Sequence, residues 1–129
     1  MIDPITWDTI DTINVVDSSG NSIIYLNELE IINTSEKNLS RYIFANAFQS
    51  SNIHMIDLET GIAVTTWDLD ELMVIQYQHL NYSGTSYYWA NAVLNGIAYI
   101  EANDSFIVTG KLWDFIYEIE LNYRNFVEE

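Results

Sequence analysis

Lys111 is a residue whose side chain, an ammonium group on an apolar stem, could do chemistry. It follows an apolar run in the stretch Gly110 to Trp113, and the chain carries only four Lys and Arg residues against 19 Asp and Glu residues. A cation beside a large aromatic side chain at a strand end is typical of a ligand-binding position, because charge and ring can both contact a bound group. The alternative is a surface counter-ion for acidic neighbours.

Glu28 and Glu30 form a second candidate site, a pair of carboxylates. Two residues apart on a strand, their side chains would point to one face with Cα atoms about 6.6–6.8 Å apart. Glycosidases use such pairs, but the two carboxylates usually come from different strands, and no aromatic-rich sugar groove accompanies these two. This disfavours a glycosidase.

Metal and thiol chemistry have little support in the sequence. His54 and His79 lack the spacing of a metal site, and we predict neither a metal nor a cofactor. The chain has no cysteine, which excludes a cysteine nucleophile and disulfides.

The charge of the chain limits its partners. A formal net charge of -15 repels phosphate backbones and anionic lipid headgroups, so we expect no nucleic acid and no membrane partner. No apolar run reaches transmembrane length. Residues 1–4 lack the pattern of a secretory signal, and the sequence gives no compartment. We expect one domain over residues 1–129.

Short runs rich in β-branched and aromatic residues must position these side chains. Turn-forming residues separate the runs at intervals of roughly eight to twelve residues, which indicates an all-β sandwich, barrel or propeller of antiparallel strands. The predicted strands are residues 9–16, 22–26, 42–48, 53–57, 62–67, 97–100, 106–109 and 115–121.

Two predicted hairpins have clear turns. Residues 57–61 end in Gly61, which can adopt a positive φ without steric cost, and residues 101–104 contain the turn formers Asn103 and Asp104. We expect the second hairpin to carry Lys111 at the end of its second strand.

One segment has a helical pattern. Asp68 is a plausible N-cap with Glu71 three residues later, and the segment ends near His79. Its apolar face would comprise Leu69, Leu72 and Met73.

The strand pattern also recurs weakly. Residues 44–67 resemble residues 97–121 at an offset of about 50 residues, a period of propeller-blade size.

Several stretches together resemble the plant and bacterial type of glutaminyl-peptide cyclotransferase. The resemblance extends from Asp3 to about Leu121, and the combination of the first and last stretches is specific. The stretches are residues 26–30 (LNELE), 45–50 (ANAFQS), 56–61 (IDLETG), 94–99 (LNGIAY) and 108–113 (VTGKLW).

This resemblance implies a five-bladed β-propeller that converts the N-terminal glutamine of a peptide to pyroglutamate and releases ammonia. Five blades need on the order of 200 residues or more, so 129 residues would supply the later blades only. The family places its catalytic glutamate in an earlier blade, and no segment here resembles that motif. We therefore expect a chain that is incomplete for catalysis, from a truncated gene model or a natural half-propeller.

The resemblance also implies site residues. It carries Asn27 onto the substrate-binding asparagine and Lys111 onto the active-site lysine, which we group as the catalytic candidates. The reaction develops negative charge on the γ-carbonyl oxygen, and an amide donor or a cation would stabilise it. Without the family, a strand-end structural role for Asn27 would be the simpler interpretation.

The substrate-binding candidates are Phe48, Gln49 and Trp113. Phe48 falls where the family has a tryptophan, which keeps an apolar wall but loses the indole N–H. For Trp113 a packing role stays open. Ser51 stands where an aspartate is usual, and Asp114 where a proline often follows, and both departures affect substrate positioning.

The implied partners are peptides or proteins with an N-terminal glutamine. A partial propeller exposes blade edges, which favours self-association. The family is compatible with a secreted or endomembrane location. The competing function is a non-catalytic binding or structural module that retains the blades.

Overall fold

A computed structural model describes residues 1–32, 38–79 and 91–127. In chain order the strands are β1 (Leu26–Ile31), β2 (Tyr42–Ala47), β3 (Asn52–Asp57) and β4 (Ala63–Asp68), followed by helix α1 (Asp70–His79) and strands β5 (Leu94–Ile100), β6 (Ser105–Gly110) and β7 (Tyr117–Ile119). Single 3-10 turns span Leu39–Arg41 and Tyr123–Phe126.

The strands form two antiparallel sheets in which sequence neighbours pair with each other. The first sheet has the order β1-β2-β3-β4, and the second has the order β5-β6-β7. This confirms the prediction of a mostly antiparallel β fold with one short helix.

Aromatic residues fill the core where the two sheets meet. Phe44 on β2 and Phe106 on β6 are fully buried, with ring centres 4.8 Å apart. Tyr123 packs edge-on against both rings, at 5.6 and 5.8 Å. Such pairs contribute about 0.5–1.5 kcal/mol each beyond the burial of their area, so this cluster fixes one sheet against the other.

The edge strands β1 and β5 are also joined by a carboxylate. An oxygen of Glu30 accepts the backbone N–H of Tyr99 at 2.8 Å. Glu30 therefore links the sheets, whereas Glu28 is exposed. The two glutamates thus occupy different environments, which removes support for a paired-carboxylate site.

The N-terminal segment differs from the prediction of strands over residues 9–16 and 22–26. Its pairing with other described residues is limited to isolated bridges, in which Ile2 pairs with Thr9 and Val16 with both Ser22 and Ile62. Ile10 is 64% exposed, because no strand in the described ranges covers the predicted apolar face. An alternating pattern cannot become a strand without a partner of matching length. The turn between the two segments is confirmed by the backbone hydrogen bond from Gly20 to Asp17, at 3.0 Å.

Two other strand boundaries also differ. Tyr25 has a φ of 60°, which interrupts the extended chain, and β1 therefore starts at Leu26. At the other end of the chain only Tyr117–Ile119 of the predicted 115–121 pairs with β6.

The two predicted hairpins and the helix are confirmed. Gly61 has a φ of 73°, and a Cβ there would lie 2.5 Å from the carbonyl oxygen of Asn14. Asp68 accepts the backbone N–H of Asp70 at 2.8 Å, so it stabilises the start of α1. Met73 is buried in the core, with Leu69 and Leu72 packed against it. Within the described ranges, none of the helices has the length and apolar character to cross a bilayer.

Asp104 closes the turn between β5 and β6 and has a φ of 52°. Its carboxylate accepts the hydroxyls of Tyr99, at 2.8 Å, and Tyr123, and it pairs with Arg124 at 2.8 Å. The hydrogen bond from Arg124, supported by the two tyrosine hydroxyls, lowers the pKa of Asp104 to about 2. This network lies at the end of the second sheet opposite to Lys111.

Candidate active site

One end of the two sheets gathers most of the predicted site residues. Leu26 pairs with Ala47, and Leu94 pairs with Gly110. Because neighbouring strands are antiparallel, this end of the sheets carries the start of β1, the end of β2, the start of β5 and the end of β6. We call this end of the two sheets the site edge. Asn27, Phe48 and Lys111 occupy this edge.

Lys111 and Phe48 are in direct contact. The ammonium of Lys111 lies 4.8 Å from the centre of the Phe48 ring, within the range of a cation–π interaction. Lys111 is exposed and Phe48 is half-buried. In the described part of the chain, Lys111 forms no ion pair with a carboxylate. The ring, and not an acidic neighbour, therefore accompanies this cation.

Asn27 lies on the edge strand of the first sheet and reaches the second. Its side-chain nitrogen donates to the side-chain oxygen of Asn95 at 2.6 Å. This bond spans β1 and β5 and uses one of the two amide hydrogens of Asn27. Asn95 had no role in the sequence interpretation beyond its place in a motif.

Asn46 is a second bridge at this end and is fully buried. Its side-chain oxygen accepts the backbone N–H of Glu28 at 3.0 Å, and its nitrogen donates to the carbonyl of Leu94 at 2.9 Å. One amide thus holds three strands, β1, β2 and β5, in place behind the surface that carries Asn27. The sequence analysis assigned no role to Asn46. The signal for a buried bridging amide was an asparagine between two alanines in an otherwise apolar strand.

The segment before β5 positions Lys111 through backbone carbonyls. The carbonyl of Val93 accepts the backbone N–H of Lys111 at 2.9 Å. The carbonyl of Ala92 accepts the hydroxyl of Tyr77 at 3.1 Å and the indole N–H of Trp113 at 3.2 Å. Helix α1 and the loop after β6 are therefore both hydrogen-bonded to the buried Ala92.

Gly110 allows this close approach. A Cβ on Gly110 would lie 2.5 Å from the carbonyl oxygen of Val93 and would also overlap the indole of Trp113. The backbone and the ring can meet here only because position 110 has no side chain.

Three of the five described non-glycine residues with a positive φ lie around the Lys111 and Phe48 pair. Tyr25, Gln49 and Leu112 all have φ values near 60°, in the left-handed region. The carbonyl of Tyr25 accepts the N–H of Phe48 at 2.8 Å, Gln49 follows Phe48, and Leu112 follows Lys111. Left-handed residues other than glycine cost about 1–3 kcal/mol each and are concentrated at functional sites.

A cleft of about 700 Å³ lies beside this edge. One wall is a single face of α1, formed by Asp70, Met73, Val74 and Tyr77 at positions i, i+3, i+4 and i+7. The other lining residues in the described ranges are Gln49, Ser50, Ser51 and Val93. Burial and the nearby negative charge of Asp70 raise the pKa of Tyr77.

Ser51 joins two acidic residues beside the cleft. Its hydroxyl oxygen lies 2.6 Å from a carboxylate oxygen of Asp70 and 2.9 Å from one of Asp68. Ser51, where the resemblance predicts an aspartate, thus contacts carboxylates at the end of β4 and the start of α1.

His54 belongs to no metal-binding cluster of the described residues. His54 is buried, its Nδ1 lies 2.8 Å from the hydroxyl of Thr66, and burial lowers its pKa. The side chain of His79 lies outside the described residues. Across the described ranges, no cluster of three or more His, Asp or Glu side chains could hold a metal ion.

The five predicted site residues divide into three groups. Lys111 and Phe48 are brought together, and Asn27 lies on the same edge. Gln49 is exposed and faces the cleft. Trp113 is half-buried and packs edge-on against Tyr117 at 5.8 Å, so most of its visible contacts are structural.

Comparison with known proteins gives consistent matches. A sequence model of the family described as glutamine cyclotransferase matches residues 1–121. A glutaminyl-peptide cyclotransferase of Arabidopsis thaliana is 31% identical over 133 residues, covering 99% of this chain and 37% of that protein. The crystal structure of Myxococcus xanthus glutaminyl cyclase superposes with a TM-score of 0.74 at 27% identity, covering 99% of this chain and 47% of that one. The chain thus spans less than half the length of these two relatives.

Proposed function

This chain belongs to the glutamine cyclotransferase family, and on that premise we propose that it takes part in converting the N-terminal glutamine of peptides to pyroglutamate, with release of ammonia. The proposal assigns glutamine binding to the edge that carries Lys111, Phe48 and Asn27. The observation that carries it is the ammonium of Lys111, 4.8 Å from the Phe48 ring and in contact with no carboxylate of the described ranges. A surface counter-ion would pair with a carboxylate instead.

The reaction needs hydrogen-bond donors at the γ-amide of the substrate. The α-amine attacks its own γ-carbonyl carbon, the carbonyl oxygen becomes an oxyanion, and the departing nitrogen leaves as ammonia. The ammonium of Lys111 and the second amide hydrogen of Asn27 are the donors proposed for this oxyanion. The bond from Asn27 to Asn95 uses one amide hydrogen and leaves the second for this role.

The aromatic surface at this edge would hold the methylene groups of the glutamine. Phe48 supplies an apolar wall and keeps Lys111 in place, and Gln49 contributes a polar side chain beside it. The indole N–H of Trp113 is already bonded to the carbonyl of Ala92, so Trp113 would contact the substrate through its ring alone.

Proton transfer is the step for which the candidate residues Asn27 and Lys111 provide no suitable group. Asn27 has no titrating group, and a cationic Lys111 has no free electron pair to accept the amine proton. The family assigns this step to a glutamate whose motif has no counterpart here. We therefore propose that the 129-residue chain alone binds the substrate and does not turn it over, with Glu28 as the first carboxylate to examine if it does.

We also infer that the two sheets are neighbouring blades of a five-bladed β-propeller. The likeness to the Myxococcus xanthus enzyme and the sequential strand order support this inference. The remaining blades would then lie outside these 129 residues, and the exposed sheet edges of this part expressed alone would favour self-association.

The second candidate function is a non-catalytic binding or structural module of the same family. One observation favours it: the Asn27 amide is already partly engaged by Asn95. A purely structural module would show no saturable binding of glutamine peptides, whereas a binding module would discriminate glutamine from alanine at the first position.

Ammonia release tests the proposal. The purified chain is incubated with Gln-Ala amide, ammonia is measured over the uncatalysed background, and size-exclusion chromatography reports the oligomeric state. We expect saturable binding, self-association and no release above background. Robust turnover by a monomer would contradict the proposal that this chain binds the substrate without turning it over. Absence of binding would favour the structural module.

A further inference from the structure

The cleft beside the candidate site has a composition that selects a particular side chain. We propose that it binds the residue that follows the N-terminal glutamine, and that it favours a long apolar stem ending in a positive charge, as in lysine or arginine. The inference rests on the proposed function, because it requires the glutamine itself to lie against Phe48 and Lys111.

The cleft continues directly from that edge. Gln49, which follows Phe48, lines the cleft. Val93 lines it as well, and the carbonyl of Val93 accepts the backbone N–H of Lys111 at 2.9 Å. A peptide with its first residue at the Lys111 and Phe48 pair therefore has the cleft within reach of its second residue.

The long wall of the cleft suits a hydrocarbon stem. Val74 is 51% exposed although it is apolar, and it lies between Met73 and Tyr77 on the cleft-facing side of α1. Methylene groups of a bound side chain would cover this surface and remove its apolar area from water, which is favourable. Lysine and arginine can use such a surface while their charge stays near water.

The charge of the cleft selects the end of that side chain. Asp70 is the one charged residue among the described side chains that line it. The hydroxyl of Ser51, 2.6 Å away, holds the Asp70 carboxylate in place, and Ser51 itself is 9% exposed. A cationic group at the end of the stem would meet a fixed negative charge, and an acidic side chain would be repelled.

Calorimetric titration of the purified chain with dipeptide amides tests this inference. The series is Gln-Lys, Gln-norleucine and Gln-Glu, in which norleucine keeps the stem and lacks the ammonium. Ala-Lys amide reports whether glutamine itself is recognised. The variants are Asp70→Asn and, as a matched control, Glu71→Gln, which removes the same charge from the next helical residue without changing the cleft lining.

We expect Gln-Lys to bind about two- to fivefold tighter than Gln-norleucine, the size of a partly exposed ion pair, and Gln-Glu to bind weakest. Asp70→Asn should abolish the lysine preference, whereas Glu71→Gln should keep most of it. In the unmodified chain, 0.5 M salt should also reduce the preference, a result that does not depend on the folding of any variant.

The outcomes separate this inference from the proposed function. Equal binding of Gln-Lys and Gln-norleucine, or a preference that Asp70→Asn leaves intact, would overturn the cleft assignment while glutamine binding stands. Equal binding of Gln-Lys and Ala-Lys would overturn the proposed function, and the inference with it. If no peptide shows saturable binding, both are overturned.

Discussion

The ammonium of Lys111 lies 4.8 Å from the centre of the Phe48 ring, and this contact joins the end of β6 to the end of β2. The two residues are far apart in sequence and belong to different sheets, so their meeting depends on how the sheets pack. The aromatic core around Phe44 and Phe106 and the bridge made by Asn46 set that packing. The candidate site is therefore a property of two sheets together.

The ring at position 48 should tune both substrate binding and the position of Lys111. We expect Phe48→Trp to tighten the binding of a glutamine peptide by about two- to fivefold, because tryptophan is the strongest cation–π partner and adds an N–H donor. Phe48→Leu, which keeps an apolar wall without a ring, should weaken binding. Calorimetric dissociation constants for both variants make the comparison. Weaker binding by the tryptophan variant would mean that the site has repacked around phenylalanine.

Gly110 should be intolerant of any side chain. In Gly110→Ala the new methyl would lie 2.5 Å from the carbonyl of Val93, and we expect a loss of about 1–3 kcal/mol in the free energy of unfolding. Displacement of Trp113 and Lys111 should also weaken the binding of glutamine peptides.

Gly20→Ala is the matched control for this prediction. Gly20 has a φ of 84°, and no atom of the described residues lies within 4 Å of the position of a Cβ, so conformational strain is what opposes the methyl group. Peptide titration should separate the two variants, because the Gly20 variant should bind peptide normally. Urea denaturation measures the free energy of unfolding of each variant. Normal peptide binding by Gly110→Ala would contradict the account of how Lys111 is positioned.

Asp104 should contribute stability that acid removes. Its pKa is about 2 in the folded chain, below the ordinary value of 3.8, so the folded state binds the proton less readily than the unfolded state. The stabilisation is therefore fully present above about pH 4 and is lost as the pH falls from 4 toward 2. Asp104→Asn should destabilise the chain at pH 7, and its difference from the unmodified chain should shrink over that acid range.

Urea denaturation at several pH values from 7 to 2.5 measures this difference. Glu101→Gln removes one charge from the same turn and controls for the loss of charge alone. A difference between Asp104→Asn and the unmodified chain that stays constant down to pH 2.5 would exclude the Arg124 and tyrosine network as its source.

Much of the fold could be predicted from local sequence. The turn at Gly61, the hairpin around Asp104 and the helix over Asp70–His79 each depend on a few adjacent residues, and the structure confirms them. The strand over residues 9–16 was wrong because alternation at Ile10 and its neighbours does not specify a partner strand. The left-handed φ of Tyr25 had no signal, since tyrosine seldom adopts it.

The candidate site was predictable only in part. The motifs around Asn27 and Lys111 supplied the residues, and the family supplied their roles, which stay predictions. Sequence alone could not show that Phe48 would accompany Lys111, that Asn95 would hold Asn27, or that carbonyls of residues 92–94 would fasten the surrounding elements. Each of these contacts joins segments that only tertiary packing brings together.

Binding of Gln-Ala amide to Lys111→Met tests the central claim most directly. Methionine keeps an apolar stem against Phe48 and removes the ammonium, and Lys111→Arg keeps a positive charge at the same position. We predict that calorimetric titration will show binding weakened at least tenfold in Lys111→Met and mostly retained in Lys111→Arg, because a charged donor to the γ-carbonyl contributes about 1.5–3 kcal/mol. Equal affinities for the unmodified chain and Lys111→Met, with both correctly folded by circular dichroism, would contradict the claim that Lys111 binds the glutamine.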